Sequence, residues 1–261
     1  MIAVLGPKGG TGKTMTACNL GEALAAAGAS TVIVDLDLQF GQVATHLNIL
    51  PRQTLADVVR EEAALREPEL LRTYATKHDS GLHVLSASTG PELAETITAD
   101  HVDKVLTTLL DTYDQVVVDT GTWLDERTMR AFEHAESVLF VTTPEIAALK
   151  ALTALIEYLN ESGTVAAKTM FVLNNAFGRE ILKLRDVEQA LGTQVTAELP
   201  YDPFLYLKAV NEGVPIVTGA PKSAPAERLI KLSEIAFGTG GYQMPTDRQE
   251  KKSGGLFRRR R

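Results

Sequence analysis

Short runs of apolar, β-branched residues alternate along most of the chain with longer segments in which apolar residues recur about every 3.6 positions. Such runs are typical of buried strands, and a 3.6-residue period is typical of helices with one buried face. The pattern predicts strands at Ile2–Leu5, Thr31–Asp35, His83–Ser86, Gln115–Asp119, Ser137–Thr142, Thr169–Asn174 and Val195–Leu199. It predicts helices at Lys13–Ala27, Asp100–Thr112, Glu126–His134, Ala147–Ser162, Leu184–Leu191 and Ala224–Phe237. This alternation predicts an α/β fold with a mainly parallel central sheet and helices on both faces.

The periodicity ends near Gly238, and Gly, Gln, Pro, Thr, Lys and Ser dominate the rest of the chain. We therefore predict one folded domain over residues 1–238 and a flexible, basic C-terminal tail over residues 239–261. The segment Asp247–Arg261 carries seven Lys or Arg and two acidic residues, a balance of +5. The rest of the chain then carries −12, against −7 for the whole. Such an acidic body makes DNA an unexpected partner.

Cysteine content and hydropathy restrict the class of protein. Cys18 is the only cysteine, which excludes an intrachain disulfide and a multi-cysteine metal site, and we expect it to be a small core residue. The longest apolar runs, such as Ser137–Val141, fall far short of the roughly 20 residues of a membrane-spanning helix. The chain start leads into a glycine-rich segment rather than into a signal peptide. We therefore expect a cytoplasmic protein.

The segment Gly6–Thr14 reads G-P-K-G-G-T-G-K-T and lies between the first predicted strand and the first predicted helix. Glycines at such a junction let successive N–H groups point at a phosphate, and the helix adds its positive N-terminal end. Lys13 is then placed to reach the β- and γ-phosphates, and the Thr14 hydroxyl is placed to ligate Mg²⁺. A dinucleotide fingerprint would require glycine where Met15 stands. The segment therefore predicts a nucleoside triphosphate site formed by Pro7, Lys8, Gly9, Gly10, Thr11, Gly12, Lys13, Thr14 and Met15.

Two of the predicted strands end in acidic residues. The strand Thr31–Asp35 is followed closely by Asp37, and the run Gln115–Asp119 ends in an aspartate, as a Walker B strand does. The carboxyl ends of parallel strands meet at one edge of the sheet, where the phosphate loop also opens. Asp119 is expected to hold Mg²⁺ through a water molecule. Asp35 is as well suited to anchoring its loop by hydrogen bonds as to direct chemistry.

The phosphate loop departs from the usual pattern G-x-x-x-x-G-K-[ST], because Pro7 stands where the first glycine is expected. It matches the variant K-G-G-x-G-K-T, and over residues 1–238 the chain resembles the deviant Walker A P-loop ATPases, the family of MinD and ParA. In that family two ATP-bound subunits face each other, and an extra lysine reaches the partner's nucleotide. The resemblance implies that Lys8 is this lysine and that the ATP-bound form is a homodimer. It also places Asp37 in the switch I region, where it positions the attacking water. The implied catalytic residues are Lys8, Lys13, Asp37 and Asp119, and the implied Mg²⁺ site consists of Thr14, Asp37 and Asp119.

Two later loops follow predicted strand ends, and in related ATPases these loops contact the adenine. Asn174 ends one strand and offers both a donor and an acceptor to an adenine edge. Pro200 follows the next strand and is expected to contact the base through its backbone. For Asn175, nucleotide contact and a turn position tolerant of positive φ stay open. The resemblance thus adds to the nucleotide site Asn174, Pro200, Tyr201 and Asp202.

The segment after Asp119 begins Thr120-Gly121, which departs from the D-x-P that is common in the family. We therefore expect switch II to bend differently in this chain. Trp123, the only tryptophan, is expected to pack beneath this loop and to report on the nucleotide state through its fluorescence.

Residues 35–41, 51–57, 200–203 and 209–215 look closer to the CpaE and TadZ branch, the pilus-assembly ATPases, than to MinD or ParA. The implied function is a Mg²⁺-dependent ATPase that acts as an ATP-driven dimerisation switch. Its implied role is to localise or assemble a pilus or secretion apparatus, whose proteins are the expected partners. A receiver-like domain often precedes the ATPase in this branch, whereas the phosphate loop here begins at Gly6, and whether such a domain belongs before it stays open.

Several alternatives stay open at this stage. They are a MinD-like membrane-associated positioning ATPase, a ParA-type partition ATPase, a ligase that activates a carboxylate with ATP, and a scaffold that binds ATP with little hydrolysis. The acidic body argues against the nonspecific DNA binding of partition proteins. Iron–sulfur reductases with the same loop need cysteines that this chain lacks.

The tail combines a polybasic cluster, Arg258–Arg261, with the two apolar residues Leu256 and Phe257. MinD anchors to membranes through a C-terminal amphipathic helix, but Gly254 and Gly255 interrupt any helix here. We expect at most weak contact with anionic lipid, on the order of 1 kcal/mol per basic residue, so that any membrane association is peripheral. A solubilising tail explains the composition equally well.

Overall fold

The apolar runs form one sheet in the computed structural model, which describes residues 1–87, 90–163 and 168–238. All seven predicted strands are present, with ends within one residue of the prediction except at the amino end of the last, which starts two residues late, at Ala197. An additional strand of two residues was not predicted, because two residues carry no detectable period. In these ranges the strands are β1 Ile2–Leu5, β2 Thr31–Leu36, β3 Thr76–Lys77, β4 His83–Leu85, β5 Gln115–Thr120, β6 Ser137–Thr142, β7 Lys168–Asn174 and β8 Ala197–Leu199.

The helices include all six predicted ones, displaced by at most one residue at either end, together with several shorter ones. Within the described part of the chain they are α1 Lys13–Ala26, α2 Val43–His46, α3 Leu55–Val58, α4 Pro68–Tyr74, α5 Pro91–Ala94, α6 Ala99–Thr112, α7 Glu126–His134, α8 Ile146–Ser162, α9 Leu184–Leu191, α10 Pro203–Glu212, α11 Ile216–Gly219 and α12 Ala224–Phe237. None of the helices in the described ranges is both long enough and apolar enough to cross a membrane.

The strands follow the order β3-β4-β2-β5-β1-β6-β7-β8, and every neighbouring pair is parallel except β3 with β4. The predicted mainly parallel sheet is therefore confirmed. The central strand β1 lies between β5 and β6, so the loops that follow these three strands open side by side at the carboxyl edge. Ligands of doubly wound sheets bind at this edge.

Alternate residues of each central strand enter different cores. Val116 and Val118 of β5 pack in the core that includes Leu106 of α6 and Phe132 of α7. Val117 packs in the opposite core, with residues of α1 and α12. Helices therefore cover both faces, as the near-continuous apolar strands predict.

The longest helix that the sequence pattern missed is α10. It has no fully buried residue, so its apolar period is weak, but its ends carry ordinary helix signals. Asp202 caps its N-terminus, Pro203 occupies the first turn, and Gly213 ends it with φ 62°. The predicted tail, residues 239–261, lies outside the described residues, so the domain boundary stays a prediction.

Candidate functional site

The glycine-rich loop connects the central strand β1 to α1 and is closely packed at its two ends. A Cβ atom on Gly6 would lie 2.6 Å from the Thr11 Oγ1 atom and 2.6 Å from the Val141 carbonyl oxygen. At Gly9 and Gly10 a Cβ atom would meet no heavy atom within 4 Å. The two ends of the loop are thus held by the fold, while its crest is open to a ligand.

Helix α1 begins directly behind this loop at Lys13, with Gly12 as its N-cap residue. The Gly12 carbonyl oxygen accepts from both the backbone N–H and the hydroxyl of Thr16, at 2.9 and 2.8 Å. No side chain caps this N-terminus, and its first turn holds no acidic residue. Lys13, the first residue of α1, is buried although its ammonium group is charged. Free N–H groups and a buried cation at one loop form a site for a polyanion such as a triphosphate.

Asp119, the penultimate residue of β5, lies beside this loop. It is 1% exposed, and neither of its carboxylate oxygens accepts a hydrogen bond of standard geometry within the described residues. Burial raises the pKa of Asp119 to about 7, while the nearby Thr14 hydroxyl and the Lys13 charge act in the opposite direction. A buried carboxyl group without a partner beside a threonine hydroxyl fits the outer coordination of a cation.

Asp35 lies directly opposite Asp119 in the register of β2 with β5. Its two carboxylate oxygens accept from the backbone N–H groups of Asp37 and Val43, each at 3.1 Å. A Cβ on Gly41 would lie 2.5 Å from the Asp35 carboxylate, so the loop closes tightly over it. Burial, and then the Asp119 charge, raise the pKa of Asp35 well above its usual range. The structure therefore shows Asp35 as the anchor of the loop that carries Asp37.

Asp37 follows β2 at the same edge of the sheet and is partly exposed. Its carboxylate accepts from the Phe40 backbone N–H at 3.4 Å, and its charge is one of the influences that raise the pKa of Asp119. Among the described residues no three acidic, histidine or cysteine side chains cluster as a metal site of their own. A cation here would therefore rely on Thr14, a phosphate and the carboxylates of Asp37 and Asp119 rather than on a protein cage.

Lys8 extends from the open crest of the loop and contacts the carboxylate of Glu145. Glu145 follows β6, the neighbour of β1, and occupies the N-cap position of α8. The two side chains are 43% and 27% exposed. Sequence reasoning missed Glu145, because its partner lies 137 positions away and only the β1–β6 pairing brings the two together.

Asn174 and Asn175 follow β7 and have different partners. The Asn174 amide nitrogen donates to the Thr11 carbonyl oxygen of the phosphate loop at 2.9 Å. The Asn175 amide nitrogen donates to the Glu198 carboxylate at 2.8 Å, and its backbone N–H donates to the Leu199 carbonyl oxygen. Asn175 does not have a positive φ, so the positive-φ turn position, one of the two possibilities left open for it, is not seen there.

The predicted residues after β8 surround the start of α10. The Pro200 carbonyl oxygen accepts from the Tyr206 hydroxyl at 2.9 Å, and the Asp202 carboxylate caps α10 through the Leu205 N–H at 3.0 Å. The Tyr201 ring lies 3.1 Å from where a Cβ of Gly178 would be, next to the loop after β7. The two candidate adenine loops are thus adjacent, and contact with a base stays a prediction.

The segment after β5 corrects one expectation. Trp123 is 79% exposed rather than packed beneath the loop, because it lies in the short turn between β5 and Asp125, the N-cap of α7. The departure from the D-x-P pattern is Gly121, which stands in the place of the proline. Thr120, just before it, is buried and donates its hydroxyl hydrogen to the Val4 carbonyl oxygen of β1 at 2.9 Å. Cys18 is buried in the core, as expected.

A protein-family model matches most of the chain, including the phosphate loop and the two strand-end carboxylates. The model described as "AAA domain" matches residues 1–170, which include the phosphate loop, Asp37, Asp119 and Glu145. The septum site-determining protein MinD of Thermotoga maritima is 28% identical over 225 residues, with 83% of this chain and 80% of that protein covered.

Two solved structures have the same fold. MinD of Pyrococcus horikoshii in complex with Mg-ADP superimposes with a TM-score of 0.77 at 27% identity, over 90% of this chain and 94% of that one. A ParA family ATPase from Chlorobium tepidum gives a TM-score of 0.81 at 23% identity, over 89% of this chain and 98% of that one.

Proposed function

The chain belongs to the AAA-domain family of MinD- and ParA-type ATPases, and from this premise we propose that it is a Mg²⁺-dependent ATP hydrolase and an ATP-driven dimerisation switch. The observation that carries the proposal is the open loop crest at Gly9 and Gly10 with the buried Lys13 and Asp119 beside it. This arrangement offers N–H donors and a cation to a triphosphate and a carboxylate to its metal.

The hydrolytic step relies on positioning and charge neutralisation. Lys13 neutralises charge on the β- and γ-phosphates, and Thr14 and Asp119 hold the metal. Asp37 orients the attacking water from a loop that Asp35 anchors. Mg²⁺, when bound, supplies further neutralisation of the phosphate oxygens. The 27% identity to a MinD that was solved with Mg-ADP supports this choice of ligands.

Dimerisation depends on Lys8, which stands at the open crest rather than inside the loop. Across a two-fold axis, the same lysine of each subunit reaches the nucleotide of the other. ATP brings the two subunits together, and hydrolysis lets them part. The ATPase thus acts as a slow switch between a dimer and separate subunits.

Asp37→Ala separates this switch from a scaffold that binds ATP without hydrolysis. We expect the variant to form stable Mg-ATP dimers that no longer release phosphate, while the wild type turns over. Asp111→Ala, an exposed aspartate near the end of α6, is the matched control and should behave as wild type. A wild type without ATP turnover would support the scaffold instead.

The biological role that we propose is to determine where in the cell a pilus or secretion apparatus is placed. Support comes from the likeness of residues 35–41, 51–57, 200–203 and 209–215 to the CpaE and TadZ branch. A MinD-like positioning role is the second candidate, because the MinD of Thermotoga maritima is 28% identical over most of both chains. Fluorescent fusions in the native cell distinguish the two, since a pilus role predicts foci that depend on the pilus proteins.

The basic tail gives the proposed switch a weak, peripheral contact with anionic membranes. Vesicle flotation tests it, because electrostatic adsorption should disappear at high salt and on neutral lipid. Salt-independent partitioning would overturn this part of the proposal.

A further inference from the structure

Asn174 links two parts of the site that are distant in sequence. It is the last residue of β7, where its backbone pairs with Leu199 of β8. Its side chain leaves this strand end and donates to the Thr11 carbonyl oxygen at 2.9 Å, across 163 positions of sequence. Thr11 is 1% exposed, so this hydrogen bond is shielded from water on the loop side.

The same amide group also packs directly against the next residue of the loop. Gly12 has φ 95°, and a Cβ atom built on it would lie 2.7 Å from the Asn174 Nδ2 atom. The absence of a side chain at Gly12 therefore makes room for the asparagine. The hydrogen bond and the close approach restrict the same peptide unit.

A planar trans peptide points its carbonyl oxygen and its N–H in opposite directions. Because Asn174 holds the Thr11 carbonyl, the Gly12 N–H is directed to the other side of the loop. That N–H belongs to the N-cap residue of α1, directly before Lys13 and Thr14. Fixing one peptide plane thus fixes the direction of a donor in a loop whose function depends on N–H direction.

We propose that Asn174 is a positioning residue that braces the phosphate loop, so that phosphate affinity depends on it even without a base in the site. This inference rests on the proposed ATP function and extends it. Its amide oxygen is a separate acceptor, so bracing by the nitrogen is compatible with the expected adenine contact. The two roles differ in their ligand dependence: an adenine contact matters for ATP alone, and a brace matters for any polyphosphate.

The test compares Mg-ATP with Mg-tripolyphosphate, which has the phosphates without the base, by titration calorimetry. For Asn174→Ala we expect about a tenfold loss of affinity for both ligands, the size expected when one hydrogen bond to a buried group is lost. Asn174→Asp keeps the shape but replaces the donor by an acceptor, and it should weaken both ligands at least as much. Asn160→Ala is the matched control, because that asparagine is exposed near the carboxyl end of α8 and is not part of the candidate site.

If Asn174→Ala weakens the binding of Mg-ATP but leaves the binding of Mg-tripolyphosphate unchanged, Asn174 does not brace the loop. Its side chain then contacts only the base. Unchanged binding of both ligands would overturn the brace as well. If Asn174→Ala fails to fold, Asn174→Ser decides in the same way, because its uncharged side chain is too short to reach the Thr11 carbonyl oxygen. A wild type that binds neither ligand would instead refute the proposed function, so the two failures are distinguishable.

Discussion

The Lys8 ammonium group contacts the carboxylate of Glu145 within one subunit, at the crest of the phosphate loop. The pairing of β1 with β6 brings the two residues together. Lys8, which we propose to reach the partner's nucleotide in the dimer, therefore forms an ion pair within its own subunit. For Lys8 to cross an interface, this contact has to open.

Glu145→Gln is expected to favour the ATP dimer, since it removes the charge that competes for Lys8. A partly exposed ion pair contributes about 0–1 kcal/mol, and two such pairs open in each dimer, so the dimer should tighten by up to about thirtyfold. Sedimentation in Mg-ATP measures the change. Glu157→Gln, an exposed glutamate on the same helix α8, is the control. A weaker Glu145→Gln dimer would mean that the carboxylate contributes to the interface.

Gly12→Ala should destabilise the ligand-free protein by about 1–3 kcal/mol, because alanine there takes a strained φ of 95° and collides with the Asn174 amide. Denaturant unfolding measures the loss. Gly9→Ala is the comparison, since a Cβ atom there meets nothing within 4 Å. The double variant with Asn174→Ala should recover part of the loss; strict additivity would show that the two residues do not collide.

Trp123 is 79% exposed, so its emission should lie at long wavelength and be quenched readily by acrylamide. It follows β5 at the carboxyl edge, the edge where the proposed subunits meet. Mg-ATP is expected to shift the emission to the blue and to reduce quenching, whereas Mg-ADP should do neither. A spectrum that is the same in both nucleotides would argue against burial of this edge.

His83 gives the stability a pH dependence that is independent of nucleotide. Burial lowers the pKa of His83, with help from the charges of Arg72 and Lys77, and its ring packs 5.4 Å from that of Tyr113. The unfolded chain then binds the proton more readily than the folded one, so this stabilisation is present above pH about 6.5 and is lost as the pH falls through the folded-state pKa.

The variant His83→Phe keeps a ring and removes the titration. Its melting temperature relative to wild type should therefore rise as the pH is lowered from about 7.5 to about 5. Thermal melts at several pH values provide the measurement. Parallel profiles for the two proteins would show that His83 does not contribute.

The sequence predicted the parts of the fold and site that depend on local pattern. The apolar runs set the strands, and Gly6–Thr14 marks the phosphate loop between a strand and a helix. The carboxylates at the ends of β2 and β5 meet at one edge because parallel strands end together. These features need no knowledge of which strands are neighbours.

What the sequence did not predict depends on tertiary neighbours. The partners of Lys8 and Asn174 lie 137 and 163 positions away, and only the strand order brings them close. Helix α10 was missed because its surface position gives it no buried apolar stripe. Trp123 was expected to be buried, but a single loop residue has no period from which burial can be read.

The molecular mass in solution tests the central claim, the ATP-dependent switch, most directly. Light scattering on wild type and Lys8→Ala, with Mg-ATP, with Mg-ADP and without nucleotide, provides the comparison. We predict a dimer only for the wild type in Mg-ATP, and monomers in the other five samples. A wild-type mass that does not change with nucleotide would contradict the switch.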